Sequence, residues 1–530
     1  LLTDSRARRA LAVLSAIAAV LAVLPAVAPA PASDVALAAA LRGIYAAEVR
    51  PAQRWLHRAT VRLPDGREVP RESAFRDDPL FVAAARRLLA SRAADDAPLG
   101  AWLLGTAAPA RRREAEAALR GALRHRDPRA AFEATLALAA PAGAAGTGAA
   151  DPGVRRALAE LARSSPSEDV RTAAGWATGL VPRHEPGLAP AFRRGVSWWM
   201  SETRDDHGAA SFHRLASLGV DWVSIHSWDP LQRGLHEPLF AAPDRHFGIR
   251  DLGALVRSAH AAGIAVMVKP HLEMRGYEPS GEERRILRGT DEAARRALFQ
   301  RLESRFAAAG VLDHGRIEMR GEEDWRRWFA SYESYLLPYA RQAQEAGADL
   351  FCVGREIDLT VRLREADWRR LIARVRAEFK GPLTYSANFD DWQAIGFWDA
   401  LDFIGVSAYF PLSQRADPPL SELEAGWERA LAPLELAHRR WNRPVLLTEA
   451  GFPSVPTAAW VPWKEERTPA DVWLQSRCYE ATLRALARRP WIEGAFFWLW
   501  ERTSAPAFRD PSHAIVDKPA SFTMARWYAR

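Results

Sequence analysis

Leu350-Phe351-Cys352-Val353-Gly354-Arg355-Glu356 and Pro444-Val445-Leu446-Leu447-Thr448-Glu449-Ala450-Gly451 each carry an apolar, strand-like run into a glutamate. In a β/α barrel the C-terminal ends of the strands open into the active site. A carboxylate on each of two such strands is what cleavage of a glycosidic bond with retention requires, one as acid/base and one as nucleophile. A lone glutamate at a strand end reads as half of a structural salt bridge. The pair, on strands three units apart, reads as chemistry. Gly451, two residues past Glu449, is read as the residue that lets the chain turn away.

Outward from these two stretches the pattern is strand, loop, helix, repeated. Strands are expected over Gly195–Trp199, Trp222–His226, Ala265–Lys269, Leu350–Gly354, Leu383–Ser386, Phe403–Ser407, Val445–Thr448 and Gly494–Trp498. Helical periodicity separates them over Asp251–Ala262, Glu323–Ala346, Ala366–Phe379, Glu422–Arg440 and Ala470–Arg488. Eight such units predict a (β/α)8 barrel, an α/β fold, over 191–530. One long charged insertion, Gly276 to Arg320, follows the third strand and is read as a solvated excursion.

The segment 33–190 differs in style. It is rich in Ala, Leu and Arg, with helix starts marked by Asp78-Pro79, Asp127-Pro128 and Asp151-Pro152. Asp caps a first turn and Pro is tolerated at the first helical position. Amphipathic runs at Arg113–Leu123, Ala130–Ala139, Val154–Leu161 and Val170–Leu180 predict an all-α domain of HEAT-like repeats preceding the barrel. Val61–Val69, around Pro64-Asp65-Gly66, is expected to form a hairpin. Leu180–Pro190 reads as a linker.

A chain of 530 residues implies more than one domain. The formal net charge is +7, yet the arginines are interspersed with acids and no basic run carries interleaved aromatics, so nucleic acid is not expected as a partner. The cysteines, Cys352 and Cys478, lie in apolar segments and are expected as buried thiols. Of 21 tryptophans most follow Phe192, which fits a large core or the stacking of flat ligand faces. Residues 1–32 carry Arg6, Arg8 and Arg9, an apolar run from Ala10 to Val27, and Ala30-Pro31-Ala32 before Ser33. That order predicts a signal peptide or a membrane anchor, and hence export.

Several stretches share a further likeness: Val268-Lys269-Pro270-His271, Glu323-Asp324-Trp325 with Trp328-Phe329 and Tyr332, and Ala348 to Glu356. Leu383-Thr384-Tyr385-Ser386-Ala387-Asn388, Asp402 to Leu412, Thr448-Glu449-Ala450-Gly451, Phe496-Phe497-Trp498-Leu499-Trp500 and Lys518-Pro519-Ala520 complete the series. In this order and spacing, Gly195–Tyr528 resembles glycoside hydrolase family 113, clan A barrels that include β-mannanases. The resemblance implies Glu356 as acid/base, Glu449 as nucleophile, a β-1,4-linked mannan-type polysaccharide or oligosaccharide as substrate, and no cofactor. On that assignment Glu356 is expected to have the higher pKa of the two.

Further site candidates follow from position. Tyr409, ending the sixth strand, is placed to donate to Glu449. Asn388, ending the fifth, can read sugar hydroxyls as donor and acceptor. Lys269 and His271 end the third. Lysine is scarce here, occurring only at 269, 380, 464 and 518. His271 is read as a hydrogen-bonding group, since no His/carboxylate cluster shows metal spacing. His226 and Trp228 follow the second strand and could line the same cleft. Trp198, Trp199, Trp498 and Trp500 flank the closing strands, and Trp498 is the first choice for the floor of a sugar subsite. The chain departs from the family at Arg355, where a small polar residue is expected. A guanidinium there lowers the pKa of Glu356 unless it points away or pairs with Asp358. Three other readings stay open: the same chemistry on another β-glycan or a bacterial envelope polysaccharide, a glycan-binding barrel without turnover, and a scaffold whose helical domain binds an unnamed protein partner.

Overall fold

The computed structural model describes residues 33–46, 60–62, 68–70, 75–76, 78–93, 95–139, 151–180, 187–199, 208–232, 236, 238, 249–274, 314–466, 468–501 and 506–529. The candidate signal lies outside them, as does most of the charged insertion. The chain divides into two compact units: residues 1–180 with 503–506, and 181–502 with 507–530.

The first unit is helical: α1 (Asp34–Ala46), α2 (Phe81–Leu89), α3 (Asp96–Gly105), α4 (Arg112–Ala122), α5 (Pro128–Ala139), α6 (Pro152–Ser164) and α7 (Glu168–Ala177). Two Asp-Pro pairs start helices as the sequence implies. The Asp151 carboxylate accepts the Val154 amide at 2.9 Å, and that of Asp127 accepts the Arg129 amide at 2.9 Å. Asp78-Pro79 differs: Asp78 accepts from Leu80 at 2.8 Å, which makes a turn, and α2 begins only at Phe81. Thr60–Arg62 and Glu68–Pro70 pair antiparallel, the arms of the expected hairpin.

The second unit is a closed barrel of eight parallel strands. They are β1 (Arg193–Trp199), β2 (Trp222–Gln232), β3 (Ala265–Met274), β4 (Leu350–Arg355), β5 (Leu383–Asn388), β6 (Phe403–Ser407), β7 (Val445–Ala450) and β8 (Ile492–Trp500). β8 pairs with both β1 and β7, which closes the ring. The middle strands are near-continuous apolar runs because parallel strands under helices are buried on both faces. Helices lie at Ile249–Ala261, Glu322–Ala346, Glu365–Glu378, Leu420–Trp441 and Val472–Ala487, within a few residues of the expected bounds.

Met267, Leu350, Cys352, Phe403, Leu446 and Phe496 form one buried cluster that fills the barrel. Gly195 leaves room for it: a Cβ there would sit 2.6 Å from the Phe496 ring. Both cysteines are buried free thiols. Side chains alternate along a strand, so two residues beyond Met267 and four beyond it, Lys269 and His271, look inward above the plug. Among several register shifts around the barrel, two bear on which side chains face inward near the mouth. Between Val406↔Leu447 and Ser407↔Glu449 the β6–β7 register shifts by a residue. Thr448 and Glu449, though consecutive, both reach inward: the Thr448 hydroxyl meets Ser386 at 2.7 Å and Glu449 meets Lys269. A second shift separates Phe497 from Trp500 on β8.

Candidate active site

Glu449 sits on β7 with its side chain 2 % exposed. The Lys269 ammonium, from β3, donates to one carboxylate oxygen at 2.6 Å, and the Tyr409 hydroxyl, following β6, donates to the other at 2.8 Å. Both donors are buried. Lys269 also donates to the Thr448 carbonyl at 3.3 Å, which ties it to the backbone carrying Glu449. Burial drives the Tyr409 hydroxyl well above its ordinary pKa, and the charges of Glu449 and Glu356 add to the rise. The phenol is therefore a proton donor throughout the working range and lies under the influence of both carboxylates.

Glu356 follows the last residue of β4. Its backbone is left-handed, with φ of 51°, a region non-glycine residues rarely adopt. Two hydrogen bonds pin that turn: the Glu356 amide donates to the Ser386 carbonyl at 2.9 Å, and the Ile357 amide to the Tyr385 hydroxyl at 2.8 Å. The turn breaks strand alternation, so Arg355 and Glu356 meet instead of pointing apart. Arg355 Nη1 lies 2.7 Å from Glu356 Oε2, and His314 Nε2 lies 3.2 Å from the same oxygen. Burial pushes the Glu356 carboxyl up, but Arg355, His314 and a hydrogen bond from Ser407 outweigh it and hold the group far below the usual carboxylate range. For Glu356 the folded chain thus sets a lowered carboxyl, not a raised one. Arg355 neither points away from Glu356 nor leaves it for Asp358.

His226 Nδ1 and His271 Nε2 are 2.6 Å apart, one donating and the other accepting. Burial lowers the pKa of both well below the ordinary histidine value, with the Lys269 and Arg355 charges adding to it, so the pair is neutral. His271 Nε2 is 4.0 Å from Glu449. Contrary to the linear reading, His226, His271 and Glu449 do each bring a ligand atom within 4.8 Å of the others, close enough for a metal ion. The chemistry fits a hydrogen-bond network better. Lys269 already supplies positive charge at Glu449, and the two imidazole nitrogens engage one another.

Residues 310–518 match the model of glycoside hydrolase family 113. Over those residues the barrel domain is similar to that family. Among solved structures, the GH113 β-mannanase of Alicyclobacillus acidocaldarius, in complex with ManMIm, is 27 % identical, with TM-score 0.51, over 64 % of this chain and 97 % of that one. A GH113 β-1,4-mannanase, at 24 % identity and TM-score 0.51, covers 64 % of this chain and 99 % of its own, and speaks to the fold. No curated protein matches. The chain is a glycoside hydrolase.

In this hydrolase the tryptophans separate cleanly. Trp498 is half-buried at the mouth, edge-on to His226 at 5.1 Å and parallel to His271 at 6.3 Å. Trp198 and Trp500 are not in the cleft. Their indoles both donate to Ser211 Oγ, at 3.1 and 2.9 Å, under the helix Ala209–Ser217 outside the barrel. Alternation alone would put Trp500 on the same face as Trp498; the β8 register shift turns it outward. Asn388 ends β5 with its carboxamide oxygen accepting the Phe389 amide at 3.0 Å. Phe389 stacks on Trp463, which is 48 % exposed, with ring centres 5.1 Å apart.

His314, Ser386 and Ser407 were missed by the sequence reading. His314 stands where the insertion rejoins the barrel, so the end of that insertion contributes to the site. No periodicity marks it. The serines are detectable only as small polar residues interrupting apolar strands. Gly451 has a different reason from the one expected: its φ is not positive, and a Cβ there would lie 2.5 Å from the Trp498 carbonyl oxygen.

Proposed function

We propose that this hydrolase cleaves internal β-1,4 bonds of a mannan-type glycan with retention, Glu449 attacking the anomeric carbon and Glu356 serving as acid and then base. The observation that carries the reading is the clamp on Glu449. An ammonium and a phenol donate to its two oxygens, an arrangement suited to a carboxylate that must attack as an anion in one orientation. Attack forms a glycosyl ester with Glu449 while a proton from Glu356 passes to the departing sugar oxygen. Water, giving its proton to Glu356, then breaks the ester. The surroundings of Glu356 favour its carboxylate, the form the second step uses. Trp498 offers a flat apolar face beside the nucleophile for a sugar ring. The likeness to β-mannanases supports the choice of glycan.

The test is reducing-sugar release from β-mannan, glucomannan, xylan and β-glucan, with NMR of the first-formed anomer. Release from mannan as the β-anomer, abolished in Glu449→Ala, supports the reading. Release of the α-anomer overturns retention, and release only from another glycan overturns the substrate.

A second reading rests on the Arg355–Glu356 ion pair: a barrel that binds glycan without turnover. Binding of mannohexaose with no product over days would favour it. We also infer export, from the charged start and apolar run of residues 1–32. Cell fractionation that leaves the protein in the cytoplasm would overturn that inference.

A further inference from the structure

We propose that Trp463, stacked on Phe389, is a platform for a further sugar of the bound glycan, on the leaving-group side of the scissile bond. The inference rests on the hydrolytic reading above and adds a subsite to the same site. The loop after β7 shows two tryptophans to solvent, Trp460 and Trp463, 47 % and 48 % exposed. Burying an indole is among the larger gains a side chain can make, so a ring held out on a firm loop points to a ligand. The loop is firm on both sides of Trp463. His513 Nε2 donates to the Pro462 carbonyl at 2.7 Å, and the Lys464 amide donates to the Val461 carbonyl at 2.9 Å. Glu466 pairs with the Lys464 ammonium at 3.0 Å and accepts the Thr457 hydroxyl at 3.0 Å. The Phe389 ring lies nearly parallel to the indole, at 20° with centres 5.1 Å apart, and Phe410 meets Phe389 edge-on at 5.8 Å. Phe389 backs the indole and leaves its exposed part to solvent.

This platform is continuous with the reacting centre. Phe410 follows Tyr409, whose hydroxyl donates to Glu449 at 2.8 Å. The His513 ring that holds Pro462 lies edge-on to the Tyr409 ring at 6.1 Å. Phe389 follows Asn388, the last residue of β5, and β5 pairs with β4, the strand that delivers Glu356. The leaving sugar takes its proton from Glu356, so it departs over this part of the rim. The sugar attacked by Glu449 lies instead toward Trp498 on β8. The occupant is therefore a sugar of the same chain, toward its reducing end. One face of a β-linked pyranose is mostly C–H, which suits an indole, while its hydroxyls stay in water. The Asn388 carboxamide oxygen already accepts the Phe389 amide at 3.0 Å, which leaves its NH2 to donate to a sugar hydroxyl. Binding energy gained at this distance from the bond fixes the register of the chain over the two glutamates.

The probe is mannohexaose carrying an isotope label at its reducing end, with the products read by mass spectrometry. Wild type is expected to release longer labelled fragments than Trp463→Ala, because the platform draws extra sugars to the leaving side. KM on the hexamer is expected to rise about tenfold in Trp463→Ala. Trp463→Phe, which keeps a stacking ring, is expected to restore the longer fragments. A merely structural role would lower the rate without moving the point of cleavage. The same fragments from wild type and Trp463→Ala, or longer labelled fragments from the variant, overturn the proposal and leave the hydrolytic reading standing. If the hexamer is not cleaved, the hydrolytic reading fails and calorimetry with the same hexamer decides. Weaker binding by Trp463→Ala, recovered in Trp463→Phe with the fold intact by circular dichroism, supports the proposal; equal or no binding overturns it.

Discussion

The ends of β4 and β7 each present a glutamate, and they hold it in opposite ways. The partners of Glu449 come from other strands of the barrel, Lys269 from β3 and Tyr409 from the end of β6. They cannot move without opening the barrel. Besides a hydrogen bond from Ser407, Glu356 is held by its own neighbour, Arg355, and by His314 at the rejoining end of the insertion. Arg355 and His314 are long or peripheral groups, able to exchange partners. One carboxylate is fixed by the architecture and the other is set by replaceable charges. A nucleophile needs the first kind of setting. An acid/base, which changes protonation twice per turnover, can use the second.

The largest test of this contrast removes the carboxylates themselves. Glu449→Ala is expected to lower kcat by about 10⁴- to 10⁶-fold, and Glu356→Ala by about 10²- to 10⁴-fold. Azide should rescue both on an activated β-glycoside, with different products. In Glu449→Ala it displaces the leaving group once and yields the α-azide. In Glu356→Ala it attacks the glycosyl ester and yields the β-azide. NMR of the azide anomers reads the assignment directly; the same anomer from both variants would break it.

Next comes the support of Glu449. Lys269→Met leaves a carboxylate 2 % exposed without its ammonium. The expected loss in folding stability is about 3–5 kcal/mol by urea denaturation. Lys269→Met with Glu449→Leu should recover most of it, since no charge is then buried alone. Failure of the double variant to recover would show that Lys269 matters for packing and not for charge. Tyr409→Phe keeps the ring and removes one hydrogen bond to a charged group, about 1.5–3 kcal/mol. If that bond acts in the transition state, kcat falls about ten- to hundredfold with little change in stability.

What the sequence shows and hides follows the same division. The barrel was legible because a buried parallel strand needs a largely apolar run, and eight such runs can be read even where a serine or threonine interrupts them. Glu356, Glu449 and Lys269 stood out because a charge ending such a run has few places to go but the mouth. Trp500 was misplaced because alternation is a rule for regular strands, and nothing in Phe496-Phe497-Trp498-Leu499-Trp500 announces the register shift. The cluster of His226, His271 and Glu449 was invisible in the same way: its members come from three strands and meet only when the barrel closes. The turn at Glu356 was hidden too. A glutamate with positive φ has no compositional mark, and that one angle decides whether Arg355 points away or onto the carboxylate.

The smallest expected effect is the most discriminating, because it shifts a curve without abolishing anything. Arg355 opposes protonation of Glu356, and burial favours it. Removing the guanidinium must therefore raise the pKa of Glu356. The basic limb of kcat/KM on a neutral glycan reports the acid in the free enzyme, so Arg355→Asn should move that limb to higher pH. Stability responds in the linked sense. A carboxyl depressed on folding adds stability above its unfolded value, about 4.3, and that contribution is lost as pH falls through the folded value. Arg355→Asn should therefore be less stable than wild type at pH 7, and should lose less on acidification below about pH 4. Glu356→Gln should lose this acid sensitivity altogether. A basic limb that stays in place in Arg355→Asn would mean that the ion pair does not govern the acid, and Glu356 would then be as firmly fixed as Glu449.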